Sequence, residues 1–274
     1  MGIIMAGLSP HPPLIIPEIG GKRRHEVQKT IDSLEELAEE IKAKDADLLI
    51  TISPHGPVFT DAISILDREH LAGDFSDFSC PQVELEVVNK PDFIKKLKEN
   101  AAQKDIEVIT LSNADLEKFN FPAKLDHGVM VPLYYIQKSG VEVPVVPITM
   151  GLLDYQKLYE IGQLINTTLE SRGENAVIIA SGDLSHRLKP GAPAGYNPRG
   201  QEFDDKLVKL LQKEKYQDIL NIDPQLIEKA GECGLRPLII MLGAISNKHF
   251  KSDVKSYQGT FGVGYSVVGL YPEA

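Results

Sequence analysis

A chain of 274 residues with 42% hydrophobic and 25% charged side chains can bury a large core without disulfides or a structural metal. Open α/β sheets of this length fold as one unit, so a single domain over residues 1–274 is expected. The formal net charge of −10 is spread through helices rather than gathered in a tail, which argues against a surface that tracks nucleic-acid phosphates and points to small substrates or protein partners. Cys80 and Cys233 lie far apart without a CxxC spacing, which excludes a disulfide framework or thiolate zinc site and fits a reducing cytoplasm. The start MGIIMAGLSPHPP is too short and too proline-broken for a signal peptide or a membrane span, and Ala6 stands where a myristoylation signal needs Ser or Thr.

The first run, residues 2–9, reads as a strand. An amphipathic helix follows within 22–44, where Val27, Ile31, Leu34, Leu37, Ala38 and Ile41 recur at helical spacing. Strands are predicted over 45–53 and 62–67, and 82–88 alternates as a half-exposed strand. Pro91 opens a helix over 91–105, followed by a strand at 106–111, a helix at 125–140 ending at Gly140, a proline-flanked strand at 141–150 and a helix at 154–171. The wholly apolar run at 175–183 has the character of a central parallel strand. A long loop covers 187–200 and reads as part of a site; helices follow near 200–213 and 235–246, and the last strand spans 259–271. The alternation predicts one α/β domain with a mixed, mostly parallel central sheet between helices.

His11, His55 and His186 each follow an apolar strand run, so in an open sheet they gather beyond the strand carboxyl ends, where ligands bind. His11 and His55 share a Ser-Pro-His-x-Pro frame whose prolines restrict the local backbone. Two neutral imidazoles and a carboxylate make the facial triad of non-haem Fe(II). Glu232, ahead of an apolar helix, is the leading third ligand, with Glu228 and Asp183 as weaker alternatives. His127, beside Asp126 at a helix start, and His186 are candidates for proton handling.

The ordered set SPHPP, SPHGP, DHGVMVPL, SGDLSH and GECGLRPL resembles the LigB family of class III extradiol ring-cleaving dioxygenases, and its relative the Memo family, nearly end to end. The resemblance implies an iron held by His11, His55 and Glu232, with His186 as acid/base and His127 as a second pocket histidine acting on substrate or oxygen. It implies a small catechol-like aromatic diol and dioxygen as substrates, and assembly as a homo-oligomer, in some members with a second subunit. In Memo-type proteins a cysteine takes the third metal position, and ECGLRP offers both Glu232 and Cys233. Cys233 favours copper or zinc, whereas Glu232 favours Fe(II) and oxygen chemistry; Glu232 is the expected ligand.

Two other functions compete: a Memo-like metal-binding or redox protein without ring cleavage, and a metal-dependent hydrolase using zinc and an activated water. His25, His70 and His249 sit in polar helix or loop contexts and read as structural. Cys80 and, as its default, Cys233 read as small buried residues, and the glycines of GTFGVG as bends in a terminal strand. With 7% aromatic residues and no tryptophan, no stacking platform for a substrate ring stands out.

Overall fold

The computed structural model describes residues 1–273. Its strands are β1 (Gly2–Ser9), β2 (Leu48–Ser53), β3 (Ile63–Leu66), β4 (His70–Phe75), β5 (Cys80–Val88), β6 (Val108–Leu111), β7 (Val145–Thr149), β8 (Asn175–Ser181), β9 (Phe250–Gln258) and β10 (Tyr265–Pro272). Its α-helices are α1 (Pro17–Gly20), α2 (Gln28–Lys42), α3 (Pro91–Ala102), α4 (Asn113–Phe119), α5 (His127–Lys138), α6 (Tyr155–Arg172), α7 (Arg199–Gln212), α8 (Tyr216–Ile219), α9 (Pro224–Ala230) and α10 (Leu235–Ala244). Eight strands form one sheet in the order β6-β3-β7-β2-β8-β1-β10-β9, and β4 with β5 makes a separate hairpin.

The middle of the sheet is parallel: β1 with β8, β8 with β2, and β2 with β7. Antiparallel β10 and β9 close one side. This explains the unbroken apolar runs of β2 and β8, which are covered on both faces. In β8, Ala176, Ile178 and Ala180 enter one core with α3, α6, α7 and α10, while Val177 and Ile179 enter the other with α2, α5 and the hairpin. Pro147 sits inside β7 without disrupting it, because β3 pairs with β7 only at Ile148 and Thr149 and asks no N–H of Pro147.

Helices α6 and α10 cross at bare glycines. A Cβ on Gly162 would lie 2.0 Å from the Ile240 carbonyl oxygen, and one on Gly243 2.0 Å from that of Tyr159. Backbone thus touches backbone, and α10 is held tightly over the sheet. No helix among the described residues is long and apolar enough to cross a membrane.

The elements differ from expectation where local pattern is weak. The segment 82–88 does form a strand, but it leaves the main sheet and pairs with β4, which places His70 on a strand rather than in a helix or loop. Strand β9 alternates charged and small residues and lies at the sheet edge, so its pattern resembles an exposed loop. The final strand begins at Tyr265, the glycine-rich stretch before it forming turns.

Candidate metal centre

His11 follows β1 directly, between Pro10 and Pro12, and is 2% exposed. Its backbone N–H donates to Asp183 Oδ1 at 3.0 Å, and its Nδ1 lies 2.9 Å from Ser181 Oγ at the end of β8. His55 follows β2, and its backbone N–H donates to Ser53 Oγ at 3.2 Å. The two imidazoles meet with their Nε2 atoms 2.9 Å apart. Cys233 arrives from the turn between α9 and α10, its Sγ 3.6 Å from His11 Nε2. That turn is clamped by backbone: Cys233 N and Gly234 N donate to the Asp183 carbonyl, and Asp183 N donates to Cys233 Sγ.

His11, His55 and Cys233 therefore offer three ligand atoms within 4.8 Å of one another. The arrangement differs from the sequence expectation at the third position. Glu232 turns away from the histidines, and its Oε2 accepts the Leu235 N–H at 2.6 Å. The reason is local: α10 starts after Gly234, which has no side chain to cap it, so the preceding glutamate satisfies a free N–H at the helix end. Among the weaker alternatives, Asp183 spends Oδ1 on the His11 N–H, and Glu228 is exposed on α9.

His127 is the first residue of α5, with Asp126 as the N-cap accepting the Val129 N–H at 3.3 Å. Its ring stacks on His55 at 4.2 Å and meets His11 edge-on at 5.3 Å. His186 follows β8 with its Nδ1 2.7 Å from the Gly231 carbonyl oxygen. A carbonyl only accepts, so Nδ1 carries the proton and Nε2 keeps a free lone pair. That Nε2 is 3.9 Å from Asp183 Oδ2.

Burial and mutual repulsion keep these histidines neutral. His11 is held well below the usual imidazole range by lost hydration, then by His55, His127 and His186. His127 drops to about 4, first through burial and then through His55. Burial also lowers His186, against the pull of the Gly231 carbonyl. The Cys233 thiol is pushed well up, by burial and then by Asp183. Two converging neutral imidazole nitrogens repel each other unless a proton or a cation lies between them, and a buried thiol beside them supplies a soft third donor. The donor set fits a transition-metal ion, whose binding would expel the thiol proton.

A cleft of about 360 Å³ opens beside His55 and His127, lined also by Phe78, Phe121, Lys124 and Leu125. Phe78 packs edge-on against His127 at 5.2 Å. The aromatic wall missing from the sequence reading is thus built by Phe78 and Phe121, which come from the hairpin and from the loop after α4, far apart in the chain. Ser53, Ser181 and Gly128, which hold the histidines, also escaped the sequence reading. Serines ending two apolar strands were their one visible signal.

The family of the "Catalytic LigB subunit of aromatic ring-opening dioxygenase" matches residues 5–268. The chain belongs to the LigB family. Protein CA_C1420 of Clostridium acetobutylicum is 40% identical over 263 residues, which cover 96% of this chain and 56% of that protein. The chain thus spans little more than half the length of that relative. The 3,4-dihydroxyphenylacetate 2,3-dioxygenase of Escherichia coli is 22% identical, with 91% of this LigB chain and 92% of the relative covered. The MEMO1 family protein PH1626 of Pyrococcus horikoshii is 38% identical over 31% of this chain and 29% of its own. Among solved structures, the uncharacterized protein JW3007 of Escherichia coli K12 shares the fold, with a TM-score of 0.63 at 15% identity over 97% of this chain and 99% of that one. The matched family is described as the catalytic subunit of an aromatic ring-opening dioxygenase, and the Escherichia coli relative is named as a dioxygenase.

Proposed function

We propose that this LigB-family chain holds one redox-active transition-metal ion through His11 Nε2, His55 Nε2 and Cys233 Sγ, and carries out a metal-dependent oxidation of a small molecule in the adjoining cleft. The observation that carries this reading is that Cys233, and not Glu232, joins the two histidines. A thiolate with two imidazoles suits copper or a thiolate-ligated iron better than the oxygen-rich facial triad, and it favours the Memo-like reading. When bound, the metal would supply one-electron chemistry and polarise an attached oxygen. The chain supplies the rest. His186 Nε2 is a proton acceptor, His127 offers a neutral imidazole over the cleft, and Phe78 and Phe121 give the cleft an aromatic wall.

The second reading, Fe(II)-dependent extradiol opening of a catechol-like diol with dioxygen, is favoured by the free Nε2 of His186. That atom is suited to take a phenolic proton and return it later. The resemblance to the Escherichia coli dioxygenase supports the same substrate class.

The test is anaerobic reconstitution with Fe(II), Cu(I) or Zn(II), then oxygen uptake with a panel of catechols. One metal per chain, lost in Cys233→Ala and kept in Glu232→Gln, is the expected result. Metal binding that survives in Cys233→Ala and fails in Glu232→Gln would overturn the ligand assignment. A yellow ring-opened product would select the second reading, and ester hydrolysis by the zinc form alone would replace both with a hydrolase.

A further inference from the structure

Proline in the interior of a helix removes one N–H from the ladder and leaves the carbonyl four residues earlier without its helical partner. In α5 that proline is Pro132, and the carbonyl it leaves is that of Gly128. The Gly128 carbonyl does not go unused: it accepts the Ser181 hydroxyl. Ser181 is fully buried, and the same Oγ lies 2.9 Å from His11 Nδ1.

The direction of each bond follows from donor inventory. The carbonyl can only accept, so the single Ser181 hydroxyl proton is spent on Gly128. Toward His11, Ser181 has only a lone pair left, so the contact requires the proton to be on His11 Nδ1. The lone pair of His11 is then on Nε2, the atom 2.9 Å from His55 Nε2 and 3.6 Å from Cys233 Sγ.

We propose that Pro132, the Gly128 carbonyl and Ser181 form a relay that fixes the tautomer of His11, so that its Nε2 is presented to the metal. The inference rests on the metal-centre reading but concerns the ring before any metal is bound. Ser181 is a positioning residue, because it touches the ligand and not the metal. Pro132, which at first looks like a defect in α5, is the residue that releases the carbonyl.

The same turn also reaches His55. Ser53 Oγ donates to Asp126 Oδ1 and accepts the His55 backbone N–H. A Cβ on Gly128 would lie 2.4 Å from Ser53 Oγ and 3.4 Å from His55 Cδ2. Gly128 is therefore glycine because the first turn of α5 presses against the loop of one histidine while its carbonyl steers the other.

The experiment is nitrogen-15 NMR of the imidazoles in metal-stripped protein, with zinc titration as a separate readout, on wild type, Ser181→Ala and Pro132→Ala. Wild type is expected to show His11 protonated on Nδ1 with a bare Nε2. Ser181→Ala should mix the two tautomers and weaken zinc binding by roughly 10–100-fold, the usual cost of losing a partner behind a metal histidine. Pro132→Ala restores a competing N–H and should give a smaller shift in the same direction. A wild-type His11 protonated on Nε2, or unchanged signals in Ser181→Ala, overturns the relay; unchanged signals in Pro132→Ala remove the proline from it. Correct wild-type signals without zinc, iron or copper binding would overturn the metal reading and leave the tautomer assignment standing.

Discussion

The two sides of the His11–His55–Cys233 cluster are built by different means. His11 and His55 extend from neighbouring regions of the parallel sheet, and side-chain hydroxyls of Ser181 and Ser53 fix them against α5. Cys233 is carried by an irregular turn, and main-chain bonds to Asp183 fix it against the end of β8. Side-chain scaffolding lets a substitution change ring orientation while sparing the fold. Backbone scaffolding couples the thiol to the path of the chain itself.

The largest expected effect is on metal binding. Cys233→Ala should lower affinity by more than the ~10–100-fold typical of outer partners, because it deletes a donor outright. Glu232→Gln should retain binding, since Gln still offers an oxygen to the Leu235 N–H. Equilibrium dialysis with zinc compares the two, and equal losses would erase the distinction between them.

Next comes the backbone clamp. A Cβ on Gly182 would fall 2.1 Å from Gly234 Cα, a backbone atom that cannot rotate aside. Gly182→Ala should cost about 3 kcal/mol in urea unfolding and displace the Cys233 turn, so stability and metal binding fall together. Ser181→Ala, by contrast, should separate them.

A third prediction concerns pH. Asp204, buried behind the His186 loop, accepts Ser185 N–H at 2.8 Å and Tyr257 O–H at 2.7 Å, yet burial pushes its carboxyl up from 3.8 to about 7. A raised carboxyl pKa means that the folded state binds the extra proton, so this group costs stability as pH rises from about 4 to 7 and adds no further change above that. Between pH 5 and 8, wild type should lose on the order of 2 kcal/mol that Asp204→Asn retains. Thermal melts at the two pH values test this, and parallel losses would exclude Asp204 as the source. The smallest effect is expected at the exposed Lys138–Glu35 pair, 3.0 Å apart between α5 and α2. There Lys138→Ala should change stability by less than ~0.5 kcal/mol and leave zinc binding intact.

The histidine side was largely legible in the sequence. Apolar runs ending in Ser-Pro-His fix where strands stop, and a parallel sheet then brings those ends together. The choice between Glu232 and Cys233 was not legible. Adjacent residues share every pattern signal, and what separates them is that Gly234 cannot cap α10, so the carboxylate is diverted to Leu235. The β4–β5 hairpin was half legible for a related reason: its alternation marks a strand, but nothing local says which sheet it joins. Pro132 and Ser181 carry meaning only as a pair that meets across the fold.

The placement of β1 has one further consequence. It lies between β8 and β10, so this strand has both of its edges paired only after two segments much later in the chain have been synthesised. His11 and His55 are translated early, Cys233 late. Such long-range closure is slow, and no nascent fragment ending before residue 233 can hold all three donors. Assembly of the three donors therefore waits on the turn between α9 and α10, and its timing is set by topology.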